Sequence, residues 1–300
     1  RAGNDLVDLG DGNDYALAGN GADTYVGGNG TDTISYYYSS AGVRVDLASN
    51  ALAGGWAADD AISGFERAYG SNTGNDTILG TNGDNLIRTY GGNDTVFDRD
   101  GNDIVNLGDG NDMVVVGGGA DIIGGGNGID EISYYYSSAG VGVDLLSNAL
   151  SGGWAADDVI SGFERVSGSN GGNDTLSGTN GSNILRGNGG DDLLSGRDGA
   201  DYLDGGTGND TLTGGTGADN FIFRSDYQSD TATDFSLTDA DTLMIDDALW
   251  GGGLTASDIV TTYADDSSGV AIVFDFGGGN VLTLAGLTDT TGLDAHITII

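Results

Sequence analysis

The 300 residues include no cysteine, no proline and no lysine, and a single histidine, His296. Without cysteine there is no disulfide framework, no thiolate metal site and no cysteine nucleophile. One histidine cannot furnish a zinc site of the His-Glu-x-x-His kind. A Ser-His-Asp hydrolase would have to use His296, close to the end of the chain. Glutamate is scarce too: only Glu66, Glu131 and Glu164 among 46 acidic residues, the rest being aspartate. All nine basic residues are arginine and the formal net charge is −37, which repels nucleic acid and anionic membrane surfaces. No apolar run approaches the ~20 residues that span a bilayer. The chain opens at Arg1 on a Gly/Asp-rich run with no Sec-type leader, so it reads as a piece of something longer.

Disordered acidic chains favour Glu, Lys, Pro and Ser, which does not describe this one. Its excess lies in aspartate and in 58 glycines, about a fifth of the chain against a usual share of roughly 7%. Aspartate is a short carboxylate suited to tight turns and hard cations, and glycine supplies the φ > 0 positions such turns need. The pair in excess points to repeated cation-binding turns.

Two periods organise the chain. The short one is nine residues. Asp5, Asp14, Asp23 and Asp32 form one series. Asp76, Asn85, Asp94, Asp103, Asp112, Asp121 and Asp130 form a second, and Asp174, Asn183, Asp192, Asp201, Asp210 and Asp219 a third. Glycines usually stand two and four residues earlier: Gly10 and Gly12, Gly19 and Gly21, Gly108 and Gly110, Gly117 and Gly119, Gly206 and Gly208, Gly215 and Gly217. Gly92, Gly101, Gly190 and Gly199 keep the second of the pair. Two residues after the acidic one comes an apolar side chain, such as Val105, Leu194 or Leu212. Each unit is a six-residue turn followed by a three-residue strand with one inward side chain.

The long period is 98 residues. Ile34 to Arg67 recurs as Ile132 to Arg165 with four differences in 34 positions. Copy one spans 1–98, copy two 99–196, and a partial third copy 197–222. Such regularity means a solenoid of stacked units.

The stretch Gly205-Gly206-Thr207-Gly208-Asn209-Asp210-Thr211-Leu212-Thr213 and its successor Gly214 to Ile222 fit G-G-x-G-x-D-x-U-x. They resemble the RTX (repeats-in-toxin, haemolysin-type calcium-binding) family. The resemblance implies an all-β fold, a right-handed parallel β-roll or β-helix solenoid with Ca²⁺ between stacked turns, closed by a small C-terminal antiparallel cap. Ca²⁺ wants six to eight oxygens. Coils of two nonapeptides stack about 4.8 Å apart, so each turn and the one two further on can share an ion. That gives about eleven ions or more, adding about +22 of charge. Two readings of Asn85 and Asn183 stay open, weak sites or plain turn formers. Thr89-Tyr90 and Asp98-Arg99 replace the leading Gly pair and should distort their turns, though carbonyls remain there to bind.

The inserts between the runs are similar to a segment of serralysin-type C-terminal domains. Strand-like pieces fall at Ile34–Tyr38, Val43–Leu47 and Phe65–Tyr69. By that resemblance Glu66 and the Gly64 carbonyl close a calcium site opened by Gly27, Asn29, Gly30 and Asp32. Glu164 and Gly162 do so for Gly125, Asn127, Gly128 and Asp130. The alternative is a solvated Glu on a strand edge. Asp59-Asp60 and Asp157-Asp158 read as plain turn carboxylates. In Tyr36-Tyr37-Tyr38, Tyr36 and Tyr38 should share the inward face of Ile34 while Tyr37 points out. These aromatics and Trp56, with their copies Tyr134–Tyr136 and Trp154, either cover a thin core or stack on sugars.

Residues 223–300 read as the cap, with alternating runs at Ile259–Tyr263, Val270–Phe276 and Val281–Leu284 and a turn at Gly277–Asn280. The final Gly292–Ile300 lies where type I secretion signals lie in similar proteins, although an ordinary last strand would look the same. His296 reads as a polar strand residue. The expected protein is a non-enzymatic, secreted, extracellular or cell-surface module. Its partner would be the type I secretion apparatus, and extracellular Ca²⁺ would fold it. An adhesin or surface-layer module, a glycan-binding module, and an appendage of a metalloprotease, lipase or alginate epimerase stay open as alternatives, with any catalysis upstream of Arg1.

Overall fold

The computed structural model describes residues 3–225 and 228–300. The chain forms two compact units: Arg1–Tyr134 with Trp154–Phe163, and Tyr135–Gly153 with Glu164–Ile300.

In the first unit short strands stack in parallel at an offset of 18 residues, two nonapeptides per coil. Leu86 pairs with Ile104 and Ile104 with Ile122. Thr77 pairs with Thr95, Thr95 with Met113 and Met113 with Glu131. The insert is absorbed as a longer coil in the same stack. Thr33–Ser35 pairs with Arg67–Tyr69, Arg44–Asp46 with Thr77–Leu79, and Thr24–Val26 with Ala61–Ser63. Between them, Ala51–Ala53 folds back antiparallel on Arg44–Asp46.

The expected face of Tyr38 is corrected here. The strand Thr33–Ser35 ends before the tyrosines, and Ser39 N–H donates to the Tyr36 carbonyl at 2.8 Å. That turn breaks the alternation, so Tyr36 is buried while Tyr38 is 62% exposed. Tyr37 is half-buried and packs edge to face on Tyr38 and Tyr90.

The second unit repeats the pattern. Arg165–Ser167, Ile184–Gly189, Tyr202–Thr207, Asn220–Phe223, Thr242–Ile245 and Ile297–Ile299 form one parallel sheet. Gly142–Asp144, Thr175–Ser177, Leu193–Asp198, Thr211–Thr216, Ser229–Ala232 and Asn280–Ala285 form another. One end of it is antiparallel: Asn280–Ala285 pairs with Ala271–Gly277, and that strand with the edge strand Ala264–Asp265.

The expected strand at Ile259–Tyr263 is instead the one α-helix among the described residues, Ala256–Tyr263. Thr255 and Asp258 form a reciprocal capping box at its start, a helix signal in the sequence. The final strand is an ordinary sheet member beside Thr242–Ile245. His296 lies in a short 3-10 turn, its Nδ1–H donating to the Asp241 carbonyl at 2.6 Å.

The middle residue of each strand points inward. Ile87, Val105 and Ile123 form one buried column, and Leu185, Leu203, Phe221 and Leu243 another. With one such residue per nonapeptide the core is thin, and each buried aliphatic side chain contributes about 1.5–3 kcal/mol. Leu203→Ala should therefore lower stability by about 2–5 kcal/mol in a denaturant titration. An effect under about 0.5 kcal/mol would show that the column is not the core.

Candidate metal centre

The acidic turn residues stack in columns joined by one repeated hydrogen bond. The backbone N–H of each donates to Oδ1 of the acidic residue one coil further on. In the first unit Asp14 donates to Asp32, Asp94 to Asp112 and Asp103 to Asp121, each at 2.7 Å. In the second, Asp192 donates to Asp210 and Asp201 to Asp219, each at 2.8 Å. Asp5 donates to Asp23 at 2.7 Å and remains exposed.

Oδ1 is thus satisfied. Oδ2 of Asp14, Asp32, Asp103, Asp112, Asp121, Asp192, Asp201, Asp210 and Asp219 is buried without a hydrogen-bond partner. A buried ionised oxygen left in that state is strongly unfavourable.

Glycine creates the space that Oδ2 of Asp32, Asp192, Asp201, Asp210 and Asp219 faces. A Cβ on Gly205 would collide with the carboxylate of Asp210, in its own turn. A Cβ on Gly187 would meet both Asp192 Oδ2 and the Gly205 carbonyl of the next coil. The absent side chain leaves a cradle walled by one carboxylate and stacked carbonyls, a donor set of hard oxygens suited to Ca²⁺. Among the described residues no three acidic or histidine side chains form a metal-holding group.

The insert continues the columns. Glu66 Oε2 accepts from Asp32 N–H at 2.9 Å, and a Cβ on Gly27 would collide with the Gly64 carbonyl and stand 2.8 Å from Asp32 Oδ2. Gly125, the Gly162 carbonyl and Asp130 Oδ2 converge likewise. Asn29 and Asn127 tie neighbouring turns together, their amides donating to Asp11 and Asp109 at 2.8 Å. Glu164 belongs to the second unit, where its carbonyl accepts from Asn183 Nδ2 at 3.0 Å.

Asp60 and Asp158 are column members rather than plain turn carboxylates: Asp23 N–H donates to Asp60 at 2.8 Å and Asp121 N–H to Asp158 at 2.9 Å. Nonapeptide spacing also missed Asp230 and Asp241, which accept from Asp210 and Asp219 at 2.9 Å across offsets of 20 and 22 residues.

Some expected positions find partners within the protein. Asp76 accepts from Val43 N–H, Ser71 N–H and the Ser71 hydroxyl, and Asp174 from Val141 and Ser169 in the same way. Asn85 accepts from Thr81 N–H at 2.6 Å and donates to the Glu66 carbonyl at 2.9 Å. Asn183 does so with Thr179 and Glu164.

Over these asparagine turns lies a guanidinium. Arg99 donates to the Gly80 carbonyl at 2.7 Å and pairs with Asp46, and Arg197 donates to Gly178 and pairs with Asp144. Both arginines hold a left-handed backbone, φ 73° and 79°, which is unfavourable for a residue with a side chain. Asp23 Oδ2 accepts from the Tyr25 hydroxyl at 2.9 Å.

Burial pushes the column carboxylates up. Asp103, Asp192 and Asp230 rise to about 8 and Asp201 to about 7. Asp112, Asp121, Asp210 and Asp219 rise to about 6. The N–H donated from the preceding coil opposes the rise; neighbouring aspartates add to it.

The profile of the family described as RTX calcium-binding nonapeptide repeat (4 copies) matches residues 1–34, 71–97, 98–132, 169–203 and 195–226, together just over half of the chain. Among solved structures, the extracellular lipase LipA from Serratia marcescens is similar at 21% identity and a TM-score of 0.38. The alignment covers 76% of this chain and 40% of the lipase, so the chain spans well under half of that protein. No curated protein matches the chain.

The direction of the carboxylate shifts fixes the pH dependence without calcium. Folded-state values above the unfolded 3.8 mean that the folded chain holds protons the unfolded chain has lost, between about pH 4 and 8. Stability is then lost as pH rises through that window. In chelator the chain should be more folded at pH 5 than at pH 8, followed by circular dichroism. The reverse order would show that the columns carry no unfavourable charge.

Proposed function

The chain belongs to the RTX calcium-binding nonapeptide repeat family, and we propose that it is a non-catalytic module of a secreted protein whose folding is switched on by Ca²⁺. The observation that carries this is the row of buried Oδ2 atoms without partners in each unit, with a glycine cradle beside those of Asp32, Asp192, Asp201, Asp210 and Asp219. Asp103, Asp112, Asp192, Asp201, Asp210 and Asp219 would each give one carboxylate oxygen, and the turn carbonyls, such as those of Gly205 and Gly214, the rest. Gly64 and Glu66 would close the site of Asp32, and Gly162 that of Asp130. The ion supplies positive charge between stacked carboxylates; it has no catalytic task.

The turns ending at Asp76, Asn85, Asp174 and Asn183 are closed by side-chain donors and would hold no ion, which lowers the number to about seven. Binding only to the folded state contributes about 1.4 kcal/mol per site at tenfold excess over Kd, or about 10 kcal/mol in all, comparable to the whole stability of a domain. At the low free Ca²⁺ of a cell interior, repulsion and glycine entropy keep the chain open for export by a type I apparatus. Outside, about millimolar Ca²⁺ saturates sites of about 10⁻⁴ M. Residues 1–222 would then form the roll and 223–300 its cap, which shields the sheet ends from edge association.

Far-UV circular dichroism of the chain in chelator, titrated with Ca²⁺ and with Mg²⁺ as control, tests this. A cooperative gain of β-structure specific to Ca²⁺ is expected. A spectrum already β-rich in chelator at pH 8, and unmoved by Ca²⁺, would overturn the proposal. Gly205→Ala, which places a methyl against the Asp210 carboxylate, should lower the folding equilibrium constant in Ca²⁺ about tenfold, and move the calcium midpoint upward by a smaller factor, if that site's contribution of about 1.4 kcal/mol is lost. An unchanged midpoint would remove Asp210 from the ligand set.

A further inference from the structure

One concave surface of the second unit contains no column carboxylate. It is a groove of about 370 Å³ lined by Tyr135, Arg186, Asn188, Tyr202, Thr207 and Arg224. Asn170 and Asp204 complete its wall. The volume lies within the ~300–1,000 Å³ of small-molecule sites.

In the first unit aromatic rings occupy the corresponding place. Tyr90 packs edge-on against Tyr37, ring centres 4.9 Å apart, and against Tyr69 at 6.2 Å. The Arg88 guanidinium lies 5.3 Å over the Tyr69 ring. At positions 98 residues on, Tyr37 and Arg88 return as Tyr135 and Arg186, but Ser167 and Asn188 stand for Tyr69 and Tyr90. The turn keeps its left-handed residue, φ 73° at Tyr90 and 77° at Asn188, a conformation that asparagine tolerates well. The Asn188 amide is fixed, donating to the Ser167 hydroxyl at 3.0 Å and to the Gly168 carbonyl at 2.9 Å. Two packed rings have been exchanged for one short, held amide, which leaves room in the groove.

The other differences between the copies add polar reach around that room. Tyr202 stands for Ile104, Thr207 for Asp109, Asp204 for Asn106 and Arg224 for Gly126. Asp204 holds the Arg224 guanidinium at 3.0 Å, so the cation is positioned before any ligand arrives. In copy one Arg88 and Asp109 balance each other. Here Arg186 and Arg224 outnumber Asp204 and leave one positive charge, on a chain whose net charge is −37.

We infer that this groove binds a sugar unit carrying a single carboxylate. Tyr135, which is 39% exposed, and Tyr202 offer ring surface to the C–H side of a pyranose. Asn170, Asn188 and Thr207 supply donors and acceptors for its hydroxyls. The guanidinium groups present planar forks that match a carboxylate. The charge of the whole chain repels a polyanion, so the ligand is a short or terminal acidic sugar rather than a densely charged polymer. The inference needs the second unit folded and does not depend on which ions fill the columns.

The test titrates the full, isotope-labelled chain with methyl glucuronide, and with methyl glucoside as the neutral counterpart, in saturating Ca²⁺ at neutral pH, read by protein amide NMR shifts. Asn188→Tyr restores the ring found at Tyr90, and Arg224→Gly restores the residue found at Gly126. Arg88→Gln, in the first unit, is the control, and circular dichroism checks that each variant is folded. The glucuronide should give saturable shifts and bind at least about tenfold more tightly than the glucoside. Each groove variant should weaken it at least about tenfold, and the control should leave it unchanged. No saturable shift in the native chain, equal binding of the glucoside, or unchanged binding in both folded groove variants would overturn the inference. A chain already folded in chelator would overturn the calcium switch instead, and the same titration would still decide the groove.

Discussion

Stacking one carboxylate per coil sets like charges about 4.8 Å apart, in turns too buried for water to screen them. The backbone does part of the compensation: each column N–H donates to the next Oδ1, as from Asp201 to Asp219. The second oxygen of carboxylates such as Asp103, Asp112, Asp201 and Asp219 is where the fold lacks an answer of its own. The glycine cradles, the elevated carboxylate values and the thin core all bear on that deficit. One aliphatic side chain per nonapeptide cannot outweigh a column of buried charge, so the column carboxylates have to be neutralised in the folded state.

Within each 98-residue copy the same geometric demand is met in more than one way. At Asp76 and Asp174 a serine hydroxyl and backbone N–H groups saturate the carboxylate. At Asn85 and Asn183 the charge is removed and a guanidinium from the next coil sits on the turn carbonyl, held by Asp46 or Asp144. The strained φ of Arg99 and Arg197 fits that demand. These closures lie where the long insert coils return to the regular stack, so the coils with the most irregular backbone are joined to the roll by bonds that need no ion. A protein built in this way alternates stretches whose carboxylates keep an oxygen without a partner with stretches held by its own side chains.

Much of this was legible along the chain. Nine-residue spacing located the turns because every coil uses the same backbone path, and inward aliphatics such as Leu194 and Leu203 followed from the three-residue strand. The insert was harder. Asp60 and Asp158 enter the columns across offsets of 37 residues, and no local period marks such a distance. Asp230 and Asp241 escaped for the same reason, since their offsets of 20 and 22 break the repeat. At Tyr38 the turn at Ser39 overrode alternation. The helix Ala256–Tyr263 carried a local signal in Thr255 and Asp258, outweighed on paper by its β-branched residues.

The sequence by itself determined the class of fold, the coil length and the chemistry of the turns, because these depend on residue type at fixed short spacing. What only the tertiary structure decided is which carboxylates keep an oxygen without a partner. Asp76 and Asp103 occupy equivalent places in the repeat, yet Ser71 closes one while the other keeps a buried Oδ2 without a partner. That difference depends on side chains brought together in the folded turns, and on whether the group arriving carries a proton to donate.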